Sequence, residues 1–384
     1  MKLLSNSFCA VSGRPILRRG YFPTTIRHVS FSSFPSPSPK RQRSRWLRLI
    51  VLTAVSVGIG AYVRSRQDNS TSTLNPFSFT KYYLVDKEPV SPACSVFTLV
   101  PARLGGNRDV YEEAWRTGVW SVTFKQPQLQ IGRDYTPIPA LSSPSLQDGY
   151  DDDGSLRFLI RRDPSGEVSR YLHALQLGTP IEIRGPEVQC PIPLSVQDIL
   201  FIAGGTGIAP ALQAGHTLLS RADNAQKPRK IHILWASRRN EDCLGGRSDT
   251  KTDVASRSWF SRLLGRLAGS DPVPSLQPEE SSPVSSIVRE LEALKARYPG
   301  QVTVDYFVDE ENTFIGKEAI LNYIKSTDAS GSSLKSKLIL VSGPDGFISS
   351  MAGPKVWAQG MELQGPLQGI IKGLGLNDWV VWKL

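Results

Sequence analysis

The chain has 384 residues, 40% of them hydrophobic, which allows about two cored domains plus tails. Its formal net charge is +10, but residues 1–67 hold twelve Lys or Arg and no acid, leaving 33 basic against 35 acidic residues for the rest, so the body is not that of a nucleic-acid-binding protein and no nucleic acid is expected as a partner. Cys9, Cys94, Cys190 and Cys243 form no CxxC pair and His28, His173, His216 and His232 do not cluster, so neither a metal site nor a disulfide framework is expected.

Residues 1–45 are rich in Arg and Ser and lack acids, the composition of a mitochondrial transit peptide. The run "LIVLTAVSVGIGAYV" at 49–63 carries no charge. Counted from Trp46 it reaches about 18 residues, near the lower limit for a membrane helix, so a transmembrane segment is expected at 46–63. A polar linker follows at 64–76. Arg41, Arg43, Arg45 and Arg48 precede the run, and only Arg64 and Arg66 follow it closely. The positive-inside bias then keeps the N-terminal side in the matrix, on the mitochondrial inner membrane, and puts the body in the intermembrane space.

Residues 77–193 read as short strands between breakers: "KYYLVDKEPV", "SVFTLVPA", "VWSVTFKQP", "LRFLIRR" and "PIEIRGP". With one short helix starting at Ser169 in "GEVSRYLHAL", this predicts a small antiparallel barrel. Within it "RDYTPIP", at 133–139, puts Arg133 and Tyr135 on one side of an extended chain and Asp134 and Thr136 on the other. A guanidinium grips phosphate through paired hydrogen bonds, and a ring beside it can stack on a flat heterocycle. In "GEVSRYL", Gly166 allows close backbone approach, and the helix start offers free amides to an anion.

Residues 194–384 alternate strand and helix, which predicts a parallel sheet with helices on both faces. Its first strand runs into "GGTGIAP", where Gly204, Gly205 and Gly207 clear space for a diphosphate at a new helix start. "ASRR" and "SGPDGF" sit at later strand ends, where such sheets bind ligands. Ser237, Arg238 and Arg239 suit either a 2′-phosphate or a solvated loop. Residues 240–285, rich in Ser, Arg, Gly and Pro, predict a disordered insertion. Inside it Trp259, Phe260, Leu263, Leu264 and Leu267 share one helical face, suited to a membrane surface or to a core. The C-terminal Trp379 and Trp382 suit covering a flavin or packing.

In "RDYT", "GEVS", "GGTG" and "SGPD" the chain resembles the ferredoxin–NADP reductase superfamily, over about residues 77–384. The resemblance implies a six-stranded flavin-binding barrel followed by a parallel-sheet NAD(P)-binding domain, with FAD and NAD(P)H as cofactors. It implies that Arg133 binds the FAD pyrophosphate, Tyr135 packs on the isoalloxazine and Thr136 hydrogen-bonds near its N5. Gly166, Val168 and Ser169 would complete the pyrophosphate site. Gly204, Gly205, Thr206 and Gly207 would contact NAD(P)H, and Gly343, Pro344 and Asp345 would lie beside the nicotinamide. Ser342 stands where many members have Cys before the Gly-Pro, a departure that bears on hydride transfer. With the leader and the "VWSVTFKQPQLQIGRDYTPIP" run, the chain is most similar to the fungal mitochondrial cytochrome c import and haem-maturation flavoproteins. That implies haem as electron acceptor, with apocytochrome c and the haem-attaching enzyme as partners. An NADH–cytochrome b5 reductase-type enzyme shares every motif, and an assembly factor without turnover is the reading from another class.

Overall fold

The computed structural model describes residues 53, 55–58, 60, 73–103, 106–142, 154–221, 228–250, 284–328 and 336–384. The expected transit peptide lies outside the described residues. So does most of the expected membrane segment, of which residues 53, 55–58 and 60 are helical. No helix among the described residues is long and apolar enough to cross a membrane. Residues 62–384 form one compact unit. Its cores begin at Leu74, which is buried, so the last residues of the expected linker already belong to the body.

The first seven strands are β1 (Thr80–Ser91), β2 (Cys94–Pro101), β3 (Gly118–Gln126), β4 (Ile131–Tyr135), β5 (Pro137–Ile138), β6 (Leu156–Arg161) and β7 (Pro180–Pro191). They pair antiparallel in the order β4-β3-β7-β1-β2-β6-β5. The two edge strands of that order, β4 and β5, are consecutive in the chain and separated only by Thr136. The sheet therefore closes on itself. It is the expected six-stranded barrel, with one strand broken at Thr136 where it leaves β3 and joins β6. Alternation along the strands sorts the side chains. Trp120, Val122 and Phe124 of β3 point into the barrel with Phe97, Leu99, Phe158 and Ile160. Val119, Val96 and Leu159 point outward, into a core shared with the second half.

Two helices accompany the barrel, where one was expected. The unexpected one, α1 (Arg108–Thr117), buries Tyr111, Ala114 and Trp115 on one face. Tyr111 hydrogen-bonds Tyr82 and stacks on Trp120 at 6.2 Å, while Trp115 meets Trp120 edge-on at 5.3 Å. Its four apolar residues, Val110, Tyr111, Ala114 and Trp115, lie among charged ones, and no helix was expected there. The second helix, α2 (Glu167–Ala174), starts two residues earlier than expected. Ser169 is thus not its cap but lies in its first turn.

The second half runs β8 (Asp198–Gly204), α3 (Ile208–Leu219), β9 (Lys230–Ser237), α4 (Ser286–Arg297), β10 (Val302–Val308), α5 (Lys317–Asp328), β11 (Lys337–Ser342) and α6 (Asp345–Ala352). A hairpin of β12 (Val356–Ala358) and β13 (Met361–Leu363), then α7 (Gly369–Lys372) and β14 (Val380–Lys383), complete it. The sheet order is β10-β9-β8-β11-β14, and every pair is parallel. Phe201, Ile233 and Val304 face α3 and α4, and Ile202, Leu234 and Ile339 face α5, α6 and α7. The connection reverses direction between β8 and β11. That switch point opens a crevice at their carboxyl ends.

The two halves share one apolar core and a set of buried polar clasps. Gln213 of α3, fully buried, accepts from the Trp120 amide (2.7 Å) and donates to the Pro137 carbonyl (3.2 Å). Thr217 donates to the Trp115 carbonyl at 2.8 Å. Glu290 of α4 accepts from the Leu141 and Ser142 amides, the Ser142 hydroxyl and the Arg157 guanidinium, all within 3.0 Å. Its carboxylate meets the rule that a buried charge be paired and fully hydrogen-bonded.

The expected disordered insertion is ordered at its start. Residues 246–250 lie along the open side of β10, and Asp242 meets Ser91 and Arg161 of the barrel. The Asp249 amide donates to the Val304 carbonyl, and the amides of Val304 and Tyr306 donate to the side chains of Asp249 and Ser248. An edge strand needs such cover for its polar groups. Residues 251–283, with the apolar face at 259–267, lie outside the described residues. Both C-terminal tryptophans pack. Trp379 is buried near Tyr323 and Lys337, and Trp382 of β14 donates to the Gln189 carbonyl of β7 at 3.1 Å.

Candidate functional site

The break at Thr136 organises the barrel side of the site. Arg133 is exposed, and its guanidinium donates to the carbonyl of its own neighbour Gly132 at 2.9 Å. Asp134 faces the other way and accepts from Thr123 at 2.6 Å. Tyr135 and Thr136 are half-buried. The Tyr135 ring stands edge-on to Phe124 at 5.0 Å, and burial pushes its phenol up to about 12, against the pull of the Arg133 charge. Tyr135 therefore stays a neutral hydroxyl with one ring face anchored to the core.

The start of α2 is built by a tight loop, "RDPSGEVS". The Ser169 hydroxyl accepts from the Asp163 amide (3.1 Å) and donates to the Gly166 carbonyl (3.2 Å). The Asp163 carboxylate accepts from the Ser165 amide and hydroxyl, each at 2.9 Å. Those bonds hold its carboxyl below the usual carboxylate range, helped by the Gly166 amide and the Arg238 charge. A side chain on Gly166 would collide with Asp163 and Ser169. Val168 is buried in the barrel core, so it can offer an anion only its backbone amide. The helix has no side-chain cap, which leaves its first-turn amides to an anion, as Gly166, Val168 and Ser169 require.

The nucleotide side is a backbone cradle. Gly205, Thr206 and Gly207 make a 3-10 turn that runs straight into α3 without a side-chain cap. Gly205 has φ +55°, a conformation that favours glycine. A Cβ on Gly207 would run into the Ser342 carbonyl, so this glycine exists to let α3 approach β11. Gly204 and Gly343 face each other across the switch point, and the Phe347 ring fills the space that a side chain on either would need. Two of these glycines thus answer a packing demand that sequence reasoning had assigned to diphosphate clearance. Ser342 is buried at the end of β11, and Pro344 and Asp345 are exposed at the start of α6.

Three residues escaped the sequence reading. Trp235 of β9 is buried and its indole donates to the Gly205 carbonyl at 2.9 Å, bracing the turn from beneath. Arg161, at the end of β6, carries its guanidinium to within 3.9 Å of where a Gly205 Cβ would lie. Asp242 holds it there at 2.5 Å and also accepts from Ser91 at 2.6 Å. The barrel therefore reaches over the glycine turn through Arg161. These groups suit two anionic nucleotides: two uncapped helix starts, an exposed guanidinium with a half-buried tyrosine beside it, and a second guanidinium over the turn.

Two sequence families match the chain. The oxidoreductase FAD-binding domain matches residues 118–191, and the oxidoreductase NAD-binding domain matches residues 201–250. The chain is therefore a FAD- and NAD(P)H-binding oxidoreductase, with its two halves in the order of the ferredoxin–NADP reductase superfamily that it resembles. It is 24% identical over 364 residues to the cytochrome c mitochondrial import factor CYC2 of Saccharomyces cerevisiae, covering 84% of this chain and 87% of that protein. It is 26% identical over 259 residues to NADH–cytochrome b5 reductase 2-A of Vanderwaltozyma polyspora, covering 65% and 66%. A ferredoxin–NADP+ reductase from Plasmodium falciparum superposes with a TM-score of 0.44 at 14% identity, over 80% of this chain and 96% of that one.

Proposed function

We propose that the chain is a membrane-anchored mitochondrial flavoprotein that takes electrons from NAD(P)H through FAD to haem in support of cytochrome c maturation. The observation that carries the electron-transfer part is the approach of Arg161 of the barrel to the glycine turn of the sheet, across a seam fixed by Gln213, Thr217 and Glu290. Two nucleotide cradles on one rigid unit can hold two rings face to face. Support for the acceptor comes from the similar proteins, whose names join a cytochrome to import and to reduction.

In this reading Arg133 grips the FAD pyrophosphate with the amides at Gly166, Val168 and Ser169. Tyr135 packs on the isoalloxazine, and the Thr136 hydroxyl hydrogen-bonds near N5. Gly204, Gly205, Thr206 and Gly207 receive the diphosphate of NAD(P)H. Ser342, Gly343, Pro344 and Asp345 border the nicotinamide. Bound FAD supplies hydride acceptance followed by single-electron release, and the protein's part is to position and exclude. Arg239 lies near Glu241 (3.9 Å) and Glu310 (3.8 Å), which weakens its appeal to a 2′-phosphate and favours NADH.

The test is the visible spectrum of residues 62–384 before and after anaerobic NADH. A yellow protein that bleaches supports the reading; a folded, colourless one that cannot be loaded with FAD overturns it. Reoxidation by ferric haem faster than by cytochrome b5 separates haem reduction from the second reading, a cytochrome b5 reductase-type enzyme. Alkaline carbonate extraction of the full chain from mitochondrial membranes tests the anchor, and release into the supernatant refutes it.

A further inference from the structure

We propose that the β12–β13 hairpin and the loop at Phe77 form one lipid-docking surface that holds the folded body against a bilayer. The inference rests on the reading that residues 46–63 anchor the chain, and it adds which side of the body meets the lipid.

The hairpin is a two-stranded sheet joined to neither larger one. It turns through Gln359 and Gly360, both with positive φ, as two-residue hairpin turns require. The register pairs Val356 with Leu363 and Ala358 with Met361, so these four side chains share one face, and Trp357 with Glu362 share the other. Trp357 is 73% exposed, Met361 58%, Leu363 44% and Val356 41%. Its base is clamped. Lys383 donates to the carbonyls of Pro354 (3.0 Å), Pro366 (3.3 Å) and Gly365 (3.5 Å), and Gln364 exchanges two hydrogen bonds with the Lys383 backbone. One face is apolar and bare, while Trp357 shares the other with Glu362, which pairs with Lys355 at 3.0 Å. A two-stranded hairpin has little stability of its own, so a clamped one with these side chains exposed is presented rather than merely tolerated.

The loop "NPFSF" repeats the theme. Asn75 fixes its backbone by accepting from the amides of Phe77 (3.1 Å) and Ser78 (2.8 Å), yet Phe77 is 92% exposed. Next to it the Phe79 ring has Lys125 and Arg184 each 5.2 Å away. Lys125 also pairs with Glu182 at 2.9 Å, which leaves Arg184 as the cation for an anionic headgroup. Strand β7 links the two features. Its Gly185 amide donates to the Asn75 carbonyl, and its Gln189 carbonyl accepts from Trp382, the neighbour of the clamping Lys383. Four residues of strand span about 13 Å, and between them Val188 is itself exposed.

The occupant follows from where the chain arrives. Ten residues, 64–73, separate the apolar run from Leu74, where the body begins. They reach at most about 36 Å. Phe77 lies three residues after Leu74, and the Gly185 amide next to Arg184 bonds Asn75, so both stand where the chain enters the body; the hairpin's clamp joins the same strand at Gln189. Tryptophan and phenylalanine with a nearby cation are the residues of a membrane interface. A second copy or a protein partner could use the hairpin but would give no role to Phe77, which follows Leu74 by three residues.

Residues 62–384 with an N-terminal hexahistidine tag, captured on vesicles of brominated phosphatidylcholine containing nickel-chelating lipid, test this. The tag supplies the tether, so the outcome does not depend on whether residues 46–63 span a membrane; carbonate extraction reads that separately. Subtracting the emission of a Trp357→Phe variant isolates Trp357. The expected result is a blue shift and a loss of that emission on brominated but not on ordinary vesicles, diminished in Met361→Ser. Both positions are exposed, so folding and NADH oxidation stay unchanged. Trp357 emission equal on the two kinds of vesicle overturns the proposal, as does Trp357-dependent self-association in its place.

Discussion

The barrel and the parallel sheet each offer an anion a place to rest, but they do it differently. On the barrel the offer is a side chain. Arg133 stands exposed beside a break in a strand, its guanidinium donating to its neighbour's carbonyl, so it costs the fold little to have it there or to lose it. On the sheet the offer is backbone. The glycine turn is pressed between Trp235 below, the Ser342 carbonyl at its side and Arg161 above, and Phe347 fills the gap at Gly204 and Gly343. Binding and folding are separable in the first region and inseparable in the second.

That contrast breaks first at Gly207. In Gly207→Ala the new methyl meets the Ser342 carbonyl, so α3 must move off β11, and α3 also carries Gln213 and Thr217 of the seam. The expected loss is on the order of 4 kcal/mol, with unfolding reported by circular dichroism on heating. A variant as stable as the parent would show that the turn is not packed as described. Arg133→Ala is the opposite case. If Arg133 grips the FAD phosphate as proposed, losing that charged hydrogen bond weakens FAD binding by about 2–3 kcal/mol. Measured without flavin, its melting temperature should match the parent's; a drop there would mean that Arg133 also serves the fold.

The same contrast explains what could be read from the sequence. The strand end and helix starts of the proposed cradles were legible because their parts are contiguous: "RDYT", "GEVS" and "GGTG" each announce one within a few residues. Short runs between breakers located the barrel strands, and continuous apolar runs located four of the five parallel strands, β14 being missed. What was missed is what acts across long separations. Arg161 and Asp242 are 81 residues apart, Trp120 and Gln213 are 93 apart, and Leu141 and Glu290 are 149 apart. None of these pairs has a local signature, because a buried carboxylate reads like any helix-surface glutamate until its partners are known. Asp242 was further hidden by composition, since it opens a Ser-, Arg- and Gly-rich stretch that looks disordered. The start of that stretch is ordered because β10 needs its open side covered.

Trp235 is where the comparison is sharpest and the effect smallest. It touches no proposed ligand atom, yet its indole N–H is the brace that fixes the Gly205 carbonyl. Trp235→Phe keeps an aromatic ring beside Tyr306 but removes that hydrogen bond together with part of the buried indole, so some loss of stability is expected in either case. A lost hydrogen bond of this kind is worth about 1 kcal/mol. If the brace serves nucleotide binding, the loss should appear as a rise of about fivefold in KM for NADH, with FAD content and kcat nearly unchanged. If Trp235 matters only as core, the melting temperature should fall while KM holds. A pure stability loss, with KM unchanged, would leave the shape of the turn to its glycines alone.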